Sequence, residues 1–451
     1  MVLVRYMVLL RYMVVVRYIV LLFLLSGAGM QGFAAQILIP MDDSQRNHLK
    51  AYGIAYHVLT YDVEVSWLLN YRGGSFMFDH HPEFEEELVV RDVSFEVIAD
   101  VQAGGILREI ADPEVNKEEI RLHEVPDIAV YTPPNSLPWD DAVTLALTYA
   151  EIPYDEVYDE EVLAGELPAY DWLHLHHEDF TGQFGKFWLA FRNEEWYKDD
   201  VRLAEETASA LGYAEVADLK LDVAKAIRDF VEGGGYMFAM CSAPESIDIA
   251  LAAEGVDILH EVYNDTPPDP DAQERLDFSR TFAFENFTIV PDPAIYEKSN
   301  IDVPKTGRNE GTDFFTLFEF SAKWDPVPTM LTQNHETVIS GFMGQTTAFR
   351  KKVIKPTVTI LGENQSKDEA RYIHGSRGNG TFTFLGGHDP EDYRHHVGDP
   401  PTDLDLFPNS PGYRLILNNV LFPAARQEPL KTLLSPGAVL DLSQNQDAVN
   451  P

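Results

Sequence analysis

Cysteine is nearly missing from this chain: Cys241 is the only one in 451 residues. An internal disulfide and any cysteine-rich metal site are therefore excluded. Positive charge is also scarce, with 34 Lys and Arg against 73 Asp and Glu and a net charge of −39. A surface this acidic repels nucleic acid and anionic lipid, so neither is expected as a partner. The acid is spread along the chain, which suggests adaptation to high salt, where screening removes the self-repulsion. The patterns G-x-x-x-x-G-K-[ST] and G-x-S-x-G are missing, and G-x-G-x-x-G occurs only as Gly27-Ala28-Gly29-Met30-Gln31-Gly32 within the leader, so nucleotide loops and a serine elbow have no support. No uninterrupted membrane-length apolar run occurs either. The repetitive N-terminus carries Arg5, Arg11 and Arg17 inside its apolar stretch, which makes a poor span.

What is present begins with a leader. Arg17 supplies a positive start, Ile19 to Leu25 a short apolar stretch, and Gly32-Phe33-Ala34 a small-x-small cleavage site before Ala35. Residues 1–34 read as a secretory signal peptide, which implies an exported, periplasmic or extracellular protein. The alternative is an uncleaved N-terminal membrane anchor. No cysteine follows the leader, so a lipoprotein anchor is not expected.

Residues 35–125 alternate strand and helix patterns: strands over 36–41, 63–71 and 93–98, helices over 47–61, from Pro82 and over 101–110. That alternation predicts a parallel sheet. Residues 111–125 are charged without apolar periodicity and read as a linker or solvated helix. A second β/α series begins at Asp127. It predicts strands at 127–132, 155–158 and 170–176 and helices at 140–150 and 222–232. Both halves open alike, which suggests a faint internal repeat. Residues 256–335 lose the alternation and read as a large insertion, with short strands near 281–290 and 314–320. Strands resume at 338–341, 357–361 and 380–388, and Tyr413 to Leu421 is an apolar helix. The tail 426–451 is expected to be loose.

The most informative stretch runs Gly233-Gly234-Gly235-Tyr236-Met237-Phe238-Ala239-Met240-Cys241-Ser242-Ala243-Pro244-Glu245. Tyr236 to Met240 reads as a buried strand. Ser242 to Glu245 has the S-x-x-E form of a capping box, with proline in the first helical turn. Cys241 is thereby placed on a sharp strand-to-helix turn, flanked at two residues by Ala239 and Ala243, as a nucleophile requires. A helix N-terminus there lowers a thiol pKa and offers N–H groups to an oxyanion. The plainer reading is a small buried residue at a strand end.

Two other strand ends carry polar groups, and sites in open α/β sheets form outside the carboxyl ends of strands. His388-Asp389-Pro390-Glu391 follows Gly386-Gly387. His388 is a candidate base for Cys241, with Glu391 or Asp389 holding its ring. The alternative is a strand cap and turn. His174, His176, His177, Glu178 and Asp179 form the densest histidine cluster, with His174 and His176 on one strand face. They are candidate metal ligands or satisfied core residues, and His177 and Glu178 candidate site-lining groups. A metal set of His176, His177 and His388 is a further option. Arg72, before Gly73-Gly74, is a candidate anion holder or a plain turn residue. His395-His396 reads as a solvated face.

Together the elbow Ala239-Met240-Cys241-Ser242-Ala243 and the later His388-Asp389-Pro390-Glu391 resemble the class I glutamine amidotransferase-like superfamily, whose motifs are G-x-C-x-G and H-x-E. The resemblance covers roughly residues 126–425. It implies a flavodoxin-like, mostly parallel sheet flanked by helices, here with an N-terminal α/β extension. It also implies a Cys241 nucleophile with His388 as base, Glu391 orienting it, and Ser242 N–H at the oxyanion. The Gly387-His388 turn and the closing helix with Asn418 and Asn419 also resemble the ThuA-like, carbohydrate-related branch. The whole chain is similar to exported bacterial proteins sometimes labelled asparagine synthetase B. The function expected is an exported, Cys-dependent amide or ester hydrolase acting without a cofactor. The alternative is a non-catalytic domain for a small-molecule or cell-envelope ligand.

Overall fold

The computed structural model describes residues 35–134, 141–325, 327, 336–396 and 398–425. The leader and the tail lie outside the described residues. The N-terminal region builds one sheet from β1 (Ala35–Ile39), β2 (Val65–Leu69), β3 (Ser75–Asp79), β4 (Glu96–Ala99) and β5 (Glu118–Leu122), in the order β4-β1-β3-β2-β5. Every neighbouring pair is antiparallel, not parallel as the alternation predicted. The reason lies in the turn after β2. Asn70, Arg72, Gly73 and Gly74 all take positive φ, which reverses the chain into a hairpin. A Cβ on Gly73 would sit 2.0 Å from the Met41 carbonyl oxygen, so the turn needs glycine there. The expected linker at 111–125 contains β5. Its charged residues mark an edge strand with a half-solvated face, which hides strand periodicity.

The second sheet has ten strands: β6 (Ile128–Tyr131), β7 (Asp155–Val157), β8 (Trp172–Leu175), β9 (Tyr236–Met240), β10 (Phe314–Leu317), β11 (Val338–Ser340), β12 (Phe349–Arg350), β13 (Thr359–Asn364), β14 (Glu369–Arg377) and β15 (Gly380–Leu385). The main order is β11-β10-β13-β14-β15-β9-β8-β6-β7, with β12 on β14. The half β7-β6-β8-β9-β15 is parallel. The rest is antiparallel. The sheet is therefore mixed, and the two halves of the chain share no topological repeat. Unlike the sequence reading, β14 is a full nine-residue strand; its buried Glu369, Arg371 and His374 conceal it.

Helices α1 (His48–Leu59), α2 (Pro82–Val90), α3 (Asp100–Ile110), α4 (Ala142–Ala150), α5 (Asp159–Ala164), α6 (Glu195–Ala210), α7 (Val216–Gly233), α8 (Ala243–Ala252) and α9 (Pro411–Leu421) fill the layers. Strand alternation decides which layer each side chain enters. Ile37, Ile39, Trp67 and Phe76 face a central core with α1, α4 and α9, which Val130, Phe238 and Met240 of the second sheet reach from the other side. Leu38, Leu68 and Met77 turn the opposite way, onto α3. Ala129, Leu173, Met237 and Ala239 face α7 and α8. The layers thus run helix, sheet, helices, sheet, helices. Asn418 and Asn419 of α9 bind within this core: Tyr52 OH donates to Asn418 at 2.5 Å, and Asn419 donates to Tyr372 OH at 2.7 Å.

The insertion contributes β10 as expected. Near 281–290 there are only isolated bridges, because buried Asp248 takes the N–H groups of Phe282, Ala283 and Phe284. The insertion is locked to β14 by a buried ionic network. Arg308 donates to Glu369 at 2.8 Å, Arg371 to Asp313 at 2.7 Å and to the Phe342 carbonyl at 2.8 Å.

Candidate active site

The carboxyl ends of β8, β9 and β15 meet at one point. Cys241 N–H donates to the Gly387 carbonyl at 3.0 Å, and Ala243 N–H donates to the His176 carbonyl at 3.0 Å. Cys241 has φ of +51°, in the left-handed region that a non-glycine residue adopts only under local constraint. The turn into α8 forms as the sequence predicted, with Pro244 in the first turn, but the capping box does not. Ser242 Oγ donates to the His177 carbonyl at 2.9 Å instead. Glu245 faces inward and accepts from Ser299 at 2.6 Å and Thr346 at 2.8 Å. The insertion supplied the partner that drew Glu245 away from the cap.

Cys241 Sγ receives the Gln345 N–H at 3.3 Å. Burial pushes the thiol up to about 11, against the pull of that N–H, Lys305 and Lys298. The resting group at neutral pH is therefore the thiol.

His388 follows Gly387, whose φ is +107° and whose added Cβ would lie 2.3 Å from the Phe342 ring. Its Nδ1 lies 3.0 Å from His176 Nε2, and its ring stacks on His395 at 3.9 Å between centroids. Behind it stands Asp141, which caps α4 by accepting from Val143 N–H at 2.7 Å. His174 Nε2 is 3.1 Å and His176 Nδ1 3.5 Å from this carboxylate. Burial alone would raise the Asp141 pKa, but His174 and His176 outweigh it and hold the carboxyl far below its usual range. Burial drives His176 down to about 3, so its ring is neutral near pH 7.

His176 Nδ1 faces the Asp141 carboxylate without a hydrogen bond to it. His176 Nε2 and His388 Nδ1 share one hydrogen, one ring donating and the other accepting. His174 Nδ1 faces the Phe238 carbonyl at 3.1 Å and its Nε2 faces Asp141, so both bonds form only when both nitrogens carry protons.

A cavity of about 660 Å³ opens over this point. Cys241, His177, Glu178, His388 and Gln345 border it, and Phe184, Phe187, Trp196 and Tyr197 form an aromatic side. Tyr296 and Lys305 come from the insertion, which therefore walls the cavity. Of the sequence candidates, Cys241, His388, His177 and Glu178 are brought to one cavity, and Ser242 lies beneath it. Glu178 takes the His176 N–H at 2.8 Å, and burial raises its pKa. Glu391 sits apart from the His388 ring; burial raises its pKa and its side chain bonds Ser410. Asp389 accepts from Glu391 N–H and Thr402 at 2.8 Å each, shaping the turn. Arg72 lies in the β2–β3 turn, paired with Asp42 and Glu96 at 2.7 Å. His395 and His396, read as a solvated face, line the cavity.

Asp141 was missed from the sequence, although its place before the apolar run 142–150 marks an N-cap. Gln345, Tyr296 and Lys305 carried no sequence signal, since irregular loops deliver them. Among the described residues, two groups bring three ligand-type atoms within 4.8 Å of one another and could hold a metal ion: Asp141, His174 and His176, and Asp392, His395 and Asp399.

No family model and no curated protein matches the chain. Among solved structures it is similar to two cytoplasmic proteins of Salmonella typhimurium. Each shares 12% identity, with TM-scores of 0.31 and 0.32, over 67% and 66% of this chain and 100% of each of those. A β-galactosidase from Bacillus circulans sp. alkalophilus aligns at 12% identity and a TM-score of 0.24, over 58% of this chain and 28% of that one. Likenesses this distant carry no argument about function.

Proposed function

We propose that this chain is an exported, amidotransferase-like hydrolase in which Cys241 attacks an amide or ester carbonyl. The observation that carries the reading is Cys241 at positive φ on the β9–α8 turn, in one cavity with His388, whose Nδ1 lies 3.0 Å from His176 Nε2. The order β7-β6-β8-β9-β15, or 2-1-3-4-5 counted from β6, supports a flavodoxin-like reading of the parallel half.

In this mechanism the His388 imidazole takes the thiol proton as Sγ bonds to the carbonyl carbon. Such base assistance contributes about 10²–10⁴-fold. His176, hydrogen-bonded to His388, orients the ring, the role first expected of Glu391, and the Asp141 charge behind His176 favours the imidazolium that forms. The N–H groups of Gln345 and Ser242, which face Sγ, are the donors proposed for the oxyanion. The imidazolium returns its proton to the leaving group as the C–N or C–O bond breaks. Water, deprotonated by His388, then cleaves the thioester.

An electrophilic amide probe tests the reading. It should label the parent chain once, at Cys241, and leave Cys241→Ala unlabelled; equal labelling of both sinks the proposal. A second reading, a binding cavity without chemistry, is favoured by the burial that pushes the thiol up to about 11. It expects no label on either protein and ligand binding that persists in Cys241→Ala.

A further inference from the structure

In a chain with 73 acidic and 34 basic residues, lysines are scarce, yet several lie around Cys241. Three lysines gather there, and none holds a carboxylate by a hydrogen bond among the described residues. Lys298 is buried, its Nζ has no hydrogen-bond partner, and it meets Asp179 only at 4.0 Å. Lys186 donates to the Val290 carbonyl at 2.6 Å. Lys305 lines the cavity with its ammonium 4.5 Å from the Tyr296 ring centre. The nearby carboxyl groups take other hydrogen bonds, although Asp302 Oδ2 has none among the described residues. Glu245 takes Ser299 and Thr346. Asp302 takes the N–H groups of Val303 and Thr347. Asp179 takes those of Thr181 and Gly185. Burying an ammonium without an anionic partner is costly, and a ligand's negative charge removes that cost.

We infer that the Cys241 cavity takes an anionic ligand, a molecule whose carboxylate or phosphate sits by Lys305 with Lys298 behind it. The inference rests on reading the cavity as a ligand site, not on hydrolysis at Cys241. The insertion supplies both lysines, so its purpose is to set charge preference as well as to wall the cavity.

The single cysteine makes a direct test available. Iodoacetate and iodoacetamide alkylate a thiol by the same displacement and differ in charge. With the full chain at one fixed ionic strength, the ratio of iodoacetate to iodoacetamide rates at Cys241 should exceed that of free cysteine by at least about tenfold. Lys305→Gln should return the ratio toward the free-cysteine value. A parent ratio at or below that of free cysteine overturns the inference, as does an unchanged ratio in Lys305→Gln. If neither reagent reaches Cys241, thermal stabilisation by succinate against neutral succinamide decides: succinate should raise Tm in the parent and not in Lys305→Gln, and equal shifts overturn the inference. A chain that keeps the charge preference but fails the amide-probe test loses the hydrolase reading and retains this one.

Discussion

Replacing His176 with glutamine should change how stability depends on pH. His176 is fully buried, and burial lowers its pKa from 6.5 to about 3. In the unfolded chain the same group binds a proton as the pH falls through its ordinary value. Its contribution is therefore fully present above that value and lost as the pH falls toward the folded one. Each pH unit in that window costs about 1.4 kcal/mol, so the group removes about 2.7 kcal/mol between about pH 7.5 and about pH 4.5. Other groups titrate in the same range. His374, lowered to about 4 by burial, adds to the acid loss, while Asp302, held up to about 7 by burial, opposes it. The test is therefore the difference between His176→Gln and the parent, in which those terms cancel. Urea unfolding of both proteins across this range should show the difference shrinking by about 2.7 kcal/mol toward acid, one proton's worth. A difference independent of pH would mean that His176 is not held neutral by its burial between Asp141 and His388.

Three other outcomes follow from the same contacts. His388→Gln should slow amide-probe labelling of Cys241 by about 10²–10⁴-fold while leaving the unfolding midpoint near that of the parent, read by intact-mass kinetics and a melt. Glu391→Gln should leave the labelling rate within about twofold, because its side chain meets Ser410, not His388; a loss on the scale of His388→Gln would restore it as the orienting group. Arg371→Met removes the charged hydrogen bond to buried Asp313, while Arg308 and Lys367 keep theirs, and should cost about 1.5–3 kcal/mol in urea unfolding, whereas a loss under about 1 kcal/mol would show the network to be replaceable.

Local signals in the sequence were read well where side-chain pattern and backbone geometry agree. Tyr236–Met240 is a buried strand with the expected bounds, and the helix after Cys241 starts where Pro244 places it. The strand-end rule gathered Cys241, His388, His177 and Glu178 because parallel strands deliver their carboxyl ends to one side. Pairing direction was harder. The β2–β3 hairpin turns on the positive φ of Asn70, Arg72, Gly73 and Gly74, and the apolar run Phe76-Met77-Phe78 reads equally well beside a parallel or antiparallel neighbour. The capping box failed because Ser242 and Glu245 found partners at His177, Ser299 and Thr346, far away in sequence. The same holds for the base: His176 and Asp141 support His388 across 212 and 247 residues of chain, a distance at which spacing says nothing.

The central claim is that Cys241 performs acyl transfer. The most direct measurement is turnover of p-nitrophenyl acetate, followed by nitrophenolate release and by the intact mass of the chain. The account predicts a burst approaching one nitrophenolate per chain, an acetyl group on Cys241 during turnover, and loss of both in Cys241→Ala. Equal turnover by Cys241→Ala, or a chain that never carries the acetyl group, would contradict it.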